Sequence, residues 1–145
     1  MAAGTAYNMF KKLLLDGSID FTNDTFKMIL LPDTHTPDID ADEYYDDVSG
    51  DELATAGGYT AGGATLAGKA VTVDDTDDEG VFDCTDISWT ADGTGFTCRY
   101  AILYKDTGDP ATSPLIAYWD FGVNQNPVSM TFSLVVNVEG LINIE

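Results

Sequence analysis

The sequence predicts an all-β fold, a mainly antiparallel β-sandwich or barrel, with a short N-terminal helix. Three observations predict it. Seven or eight short segments either alternate apolar and polar residues or run apolar throughout, the patterns of half-buried and fully buried strands. Clusters of Gly, Pro, Asp and Thr separate these segments at the spacing usual in sandwiches. No helical stretch is long enough to cross over between parallel strands, so the sheets should be mainly antiparallel. With 145 residues, 44% of them hydrophobic, the chain can bury a core without disulfides or metal. Neither a repeat nor a linker divides it, so it reads as one domain over residues 1–145.

The elements follow in order. Residues 6–15 form the helix: Tyr7, Phe10 and Leu14 recur at helical spacing with Lys11 and Lys12 outside. Thr5 is the expected N-cap and Gly17 the terminator. Residues 24–31 are the first strand, stopped by Pro32. After a turn at Thr36-Pro37-Asp38, Asp40 is expected to cap a short helix running through Tyr44 and Tyr45 to Val48. Residues 56–63 are too rich in glycine for a packed strand and read as an irregular loop. Alternation then resumes at Leu66, Ala70 or Val71, and Val73, followed by an acidic turn over residues 74–80.

Strands are expected at residues 81–84 and 87–90, with a turn at Asp92-Gly93-Thr94-Gly95. Residues 96–105 read as the longest strand. One face carries Phe96, Cys98, Tyr100, Ile102 and Tyr104; the other carries Thr97, Arg99, Ala101 and Leu103. Residues 115–121 are apolar on both faces, which marks a central strand. Val128, Met130, Phe132, Leu134 and Val136 alternate along the next, and residues 141–144 form the last.

Six Lys and Arg stand against 25 Asp and Glu, a formal charge of -19. Such a surface repels DNA and anionic membranes, so neither nucleic acid nor membrane is an expected partner. Three readings of the acidity stay open: a loop-rich solvated surface, a protein displayed outward or docked on a basic partner, and adaptation to salt. The N-terminus lacks a basic region followed by an apolar run, so no leader is expected. The chain should be made in a cytosol and stay soluble until it assembles. Cys84 and Cys98 are by default reduced thiols. They fall on strands read as neighbours, which leaves a disulfide open. A hairpin turning near Gly93, however, would set Cys84 closer to Leu103 than to Cys98.

No catalytic constellation emerges, and no cofactor or metal is expected. Asp38, Asp40 and Asp42 have the 1-3-5 spacing of a calcium loop, but Glu43 stands where that loop needs Gly and Ser49 where it needs Glu. His35 is the single histidine, too few for a histidine-based triad or a multi-histidine zinc site. With so many acids, a pair at glycosidase spacing carries no information. The run from Gly63 to Ala70 contains Gly68-Lys69 but lacks the Ser or Thr that a phosphate loop places after Lys, and it opens a strand. Most tyrosines and both tryptophans fall on strands and read as core. Tyr44, Tyr45 and Tyr59 lie in irregular segments and are the interface candidates, with Gly62 and Gly63 as close-approach positions at a subunit contact.

Several blocks together carry a resemblance. They are Tyr7 to Leu15 with Gly17-Ser18-Ile19-Asp20; Asp24 to Leu31; Thr36-Pro37-Asp38; Tyr45-Asp46-Asp47-Val48; Gly57 to Lys69; and Arg99 to Gly122. The sequence resembles small structural proteins of tailed-bacteriophage virions, some of which act as capsid decoration, or cement, proteins. The resemblance implies no catalytic residues. It implies a non-enzymatic protein bound to the outer surface of the major capsid protein lattice, self-associating as a homotrimer. The alternative it leaves is a tail, neck or head-fibre component that contacts host glycans through exposed aromatics.

Overall fold

The computed structural model describes residues 4–145; residues 1–3, read above for a leader, lie outside the described part. In chain order the elements are β1 (Thr5–Ala6), α1 (Asn8–Leu15), β2 (Phe26–Leu31), α2 (Tyr45–Val48), β3 (Ala64–Thr65) and β4 (Ala70–Asp74). There follow β5 (Glu79–Asp83), β6 (Ile87–Thr90), β7 (Cys98–Lys105), β8 (Leu115–Gln125), β9 (Thr131–Leu134) and β10 (Ile142–Ile144). The fold is all-β with a short N-terminal helix. Its main sheet has the order β1-β8-β7-β2-β3, beside a three-stranded sheet β10-β5-β4 and a pair β6-β9. Every strand pairing is antiparallel.

The main sheet is covered on both faces. Phe26, Met28 and Leu30 of β2, with Ala101 and Leu103 of β7 and Trp119 of β8, enter a first core with Phe82, Ile87, Trp89, Leu134 and Ile142 of the smaller sheets. Ile29 and Leu31, with Ile102, Tyr104 and Leu115, enter a second core under Val48 of α2 and Tyr7. Burial on both faces is why β2 reads as a continuous apolar run. Each of its fully buried aliphatic side chains contributes about 1.5–3 kcal/mol.

Several sequence expectations are corrected. The helix begins at Asn8: Thr5 and Ala6 pair with Tyr118 and Ala117 of β8, so Thr5 extends the sheet and does not cap. Gly17 does end the helix, at φ +76°, with the Ser18 N–H closing on the Leu13 carbonyl at 2.9 Å. Asp40 does not cap α2; the Tyr44 N–H donates to the Asp47 carboxylate at 2.9 Å, and the helix starts at Tyr45. β8, not β7, is the longest strand. The turn at Gly93 does not pair β6 with β7; β6 pairs with β9, which is only four residues long because the backbone leaves the extended conformation at Ser129, at φ +50°, with Val128 and Met130 exposed. Between Cys98 and Tyr100 the register on β8 jumps from Gln125 to Asp120. This irregularity turns Cys98 into the first core with Ala101 and Leu103, against the simple alternation that groups it with Tyr100 and Ile102. Cys84 and Cys98 are both buried, free thiols.

The abundance of Asp has a local cause. Asp16, Asp20, Asp38, Asp74, Asp92, Asp106, Asp109 and Asp120 each accept the N–H of the residue two positions on. These are Asx turns, which fold the connections without a hydrophobic anchor.

Candidate interaction surfaces

The glycine block is built around a residue the sequence reading overlooked, Glu52. Its Oε1 accepts the Tyr59 hydroxyl at 2.5 Å and the Gly62 N–H at 2.7 Å; its Oε2 accepts the Tyr45 hydroxyl at 2.5 Å. Glu52 stands seven residues from each tyrosine, but the chain between them runs through loops, where a spacing of seven sets no common face. Tyr45 stacks on Tyr104 at 4.6 Å between ring centroids, and the Tyr104 hydroxyl donates to the Gly62 carbonyl at 3.0 Å. Burial, then the neighbouring Glu52 carboxylate, raises the Tyr59 phenol well above its usual range; burial and the Glu52 hydrogen bond raise Tyr45. Both phenols therefore stay protonated and donate.

The structure thus brings together three of the five interface candidates: Tyr45, Tyr59 and Gly62. Tyr59 is 2% exposed and belongs to the first core, so its ring is not a contact surface. Tyr45 is half-buried and turned inward. Gly63, at φ +75°, lies so close to β2 that a Cβ would collide with the Met28 carbonyl oxygen; at Gly58 it would collide with that of Thr90. The close approaches these two glycines permit are made within the chain. Gly62 faces open space. Tyr44 stands apart, half-buried, with its hydroxyl 3.9 Å from Met9 Sδ.

All six cationic side chains have partners inside the chain. Lys27 pairs with Asp106 at 2.7 Å, Lys105 with Asp24 at 2.7 Å, and Lys12 with Asp16 at 3.6 Å. Arg99 grips Asp120 through both Nε and Nη2. Lys69 donates to the carbonyls of Thr22 and Asp24, and Lys11 to Asn8 Oδ1. No basic patch is left among the described residues to attract a polyanion. His35 is buried at 6% exposure, with Nδ1 3.1 Å from Asp51 Oδ2 and Nε2 3.8 Å from Asp42 Oδ2. It ties the segment after β2 to the one after α2. Asp38 and Asp42 are engaged as turn acceptors: Asp38 takes the Asp40 and Ala41 N–H groups, and Asp42 takes that of Asp38.

The large apolar side chains on the surface are all aliphatic: Leu15, Val71, Val73, Val123, Val128, Met130, Val135, Val138 and Ile144. The aromatic rings are buried or half-buried. A cleft of about 480 Å³ between β8 and β10 has Trp119 and Glu79 in its lining. Trp119 is only 4% exposed, with Gly4 against its ring, and Glu79 accepts the Asn143 amide at 2.5 Å. The cleft therefore offers no open stacking face, and Glu79 in its lining is already engaged.

β4 departs most from its expected role. Its alternation predicts a half-buried strand, yet Val71 is 54% and Val73 is 71% exposed. It is the outer strand of the β10-β5-β4 sheet, and with β5, whose Phe82 is anchored in the first core, it forms an arm whose outer strand is exposed. Past its tip, Asp74, Asp77 and Glu139 bring carboxylate oxygens within 4.8 Å of one another, the one place among the described residues where three acidic, histidine or cysteine ligand atoms converge closely enough for a cation. No helix of the described residues is long and apolar enough to cross a membrane. Comparison of the chain with family models, with curated proteins and with solved structures finds no match.

Proposed function

We propose that this chain is a non-enzymatic structural protein of a tailed-phage virion, a capsid decoration protein that seats on the outer surface of the major capsid protein lattice as a homotrimer and stabilises the head. The observation that carries the reading is the character of the surface. Every Lys and Arg side chain is engaged internally, and the exposed apolar side chains of the described residues are aliphatic and lie largely on strands and their connections. That combination suits contact with another protein's backbone and basic side chains, and it suits neither polyanions nor small substrates. A twisted sheet covered on both faces gives the rigid body a lattice protein needs, and the sequence resemblance points the same way. The alternative, a fibre or tail component gripping host glycans, needs open aromatic faces, and the described residues offer none.

The test is co-sedimentation of the purified chain with phage heads that lack it, followed by heat challenge. Saturable binding with a rise in the temperature at which the heads release DNA supports the proposal. Binding to tails alone, or specific signals on a glycan array, overturns it. A sedimentation mass of one chain both free and on heads overturns the trimer.

A further inference from the structure

We propose that the β4–β5 arm is the docking element, and that its occupant is an extended segment of a basic protein in which apolar residues alternate with Lys or Arg. The proposal rests on the decoration reading for the partner's identity but on the arm's own geometry for the site.

Cross-strand partners share a face of a sheet. Val71, Phe82 and Ile142 are aligned in one row, and Val73, Gly80 and Ile144 in the next. In the first row Phe82 and Ile142 are buried in the core, at 3% and 8% exposure. In the second row Val73 is 71% and Ile144 45% exposed. The apolar face of the core therefore continues outward past the point where the molecule covers it. Gly80 has no side chain, and a Cβ there would meet only the Ile144 carbonyl oxygen at 4.0 Å. Gly80 therefore leaves the facing sides of Val73 and Ile144 uncovered. The outer edge of β4 is unpaired among the described residues, so its backbone groups are open to a further strand.

Charge selects the occupant. The acids Asp74, Asp75, Asp77, Asp78 and Glu79 lie at the end of the arm, and Glu139 joins Asp74 and Asp77 in the convergent trio. None of the ion pairs among the described residues involves any member of that trio. A second copy of the chain would bring the same acids against them, and its six Lys and Arg side chains are already engaged. A strand with Lys or Arg at alternate positions answers both features: its backbone extends the sheet beyond β4, its apolar side chains pack beside Val71 and Val73, and its cations fall on the opposite face, the one that carries Asp74.

Two experiments test this. In the first, ¹⁵N-labelled protein is titrated with a synthetic peptide of alternating Val and Lys, with a Val and Glu peptide as control. Shifts centred on β4 and the 74–79 turn are expected for the first peptide, with none for the second. Shifts centred elsewhere, or none, overturn the arm. In the second, Val71→Lys and Val73→Lys place charge on the uncovered face of the edge strand, where both side chains are exposed, so both variants should melt as the wild type does. Binding to heads should weaken tenfold or more in Val71→Lys and in Val73→Lys. Asp77→Asn with Glu139→Gln should flatten the salt dependence of binding. Wild-type binding to heads with unchanged binding of the folded arm variants overturns the arm and leaves the decoration reading. Binding to isolated tails that still depends on the arm overturns the decoration reading and leaves the arm.

Discussion

Glu52 holds the glycine block by three hydrogen bonds from one carboxylate, and its removal strips acceptors from two inward-turned phenols at once. Glu52→Ala should lower unfolding stability by about 2–4 kcal/mol, since bonds to a charged acceptor contribute more than neutral ones. Glu52→Gln, which keeps one acceptor oxygen, should lose less; urea melts of the two variants rank them. Gly63→Ala should cost about 2 kcal/mol or more, through left-handed backbone and collision with the Met28 carbonyl, while Gly62→Ala meets only the backbone term of about 1 kcal/mol. Equal loss in both would contradict the packing of Gly63 on β2. The thiols give another reading at this scale. Burial pushes Cys84 up to about 11, with the Asp83 and Asp86 carboxylates adding to it, and Cys98 up to about 12. Neither should react with a thiol reagent at pH 8 in the folded protein, and both should titrate in guanidinium. Tyr45, Tyr59 and Gly62 stood out in the sequence as residues in an irregular segment. That they meet at Glu52 was not legible, because a separation of seven residues through loops carries no periodic signal.

At the scale of elements, the Asx turns make acid sensitivity predictable. Hydrogen bonding holds Asp16, Asp20 and Asp74 below the usual carboxylate range, with the Ser18, Asn23 and Thr76 groups the leading cause in turn. Asp106 is held down first by Lys27, and Asp120 first by Arg99. A carboxylate whose folded pKa is depressed stabilises the fold above its unfolded value of about 3.9, and that contribution disappears as pH falls toward the folded value. At about 150 mM salt, where long-range repulsion is screened, the urea midpoint should be level from pH 6 to about 5 and fall below about pH 4. A midpoint that rises through pH 4 would contradict the role of these turns. Strands β2, β6 and β8 were legible because their apolar patterns are set by burial on one or both faces. β4 misled because Val71 and Val73 alternate as core residues do; alternation reports that one face is apolar and not what covers it. The length of β9 was overread for the same reason, since Val128 and Met130 continue the pattern into solvent.

For the whole molecule, 25 acids face six cations that are already engaged. Added salt should therefore raise stability: screening weakens repulsion among many acids more than it weakens a few short ion pairs. Between about 10 mM and 300 mM NaCl the Tm should rise by about 3–6 °C, and a fall would mean that the ion pairs dominate. The all-β class followed from turn spacing and the absence of long helices. The sheet order did not, because nothing local in the sequence tells β6 to pair with β9 and not with β7. That order has a kinetic consequence. β1 pairs with β8, β2 with β7, β5 with β10 and β6 with β9, each across an intervening stretch of chain that contains other strands. β2–β3, β4–β5 and β7–β8 join strands that are consecutive in the chain, and of these β2–β3 spans the long stretch that holds α2. On the ribosome the main sheet cannot close before β8 has emerged, and the three-stranded sheet waits for β10 at the end of the chain. Refolding measured by stopped-flow should accordingly take milliseconds to seconds and not microseconds, with the β4–β5 hairpin the one outlying piece able to form early.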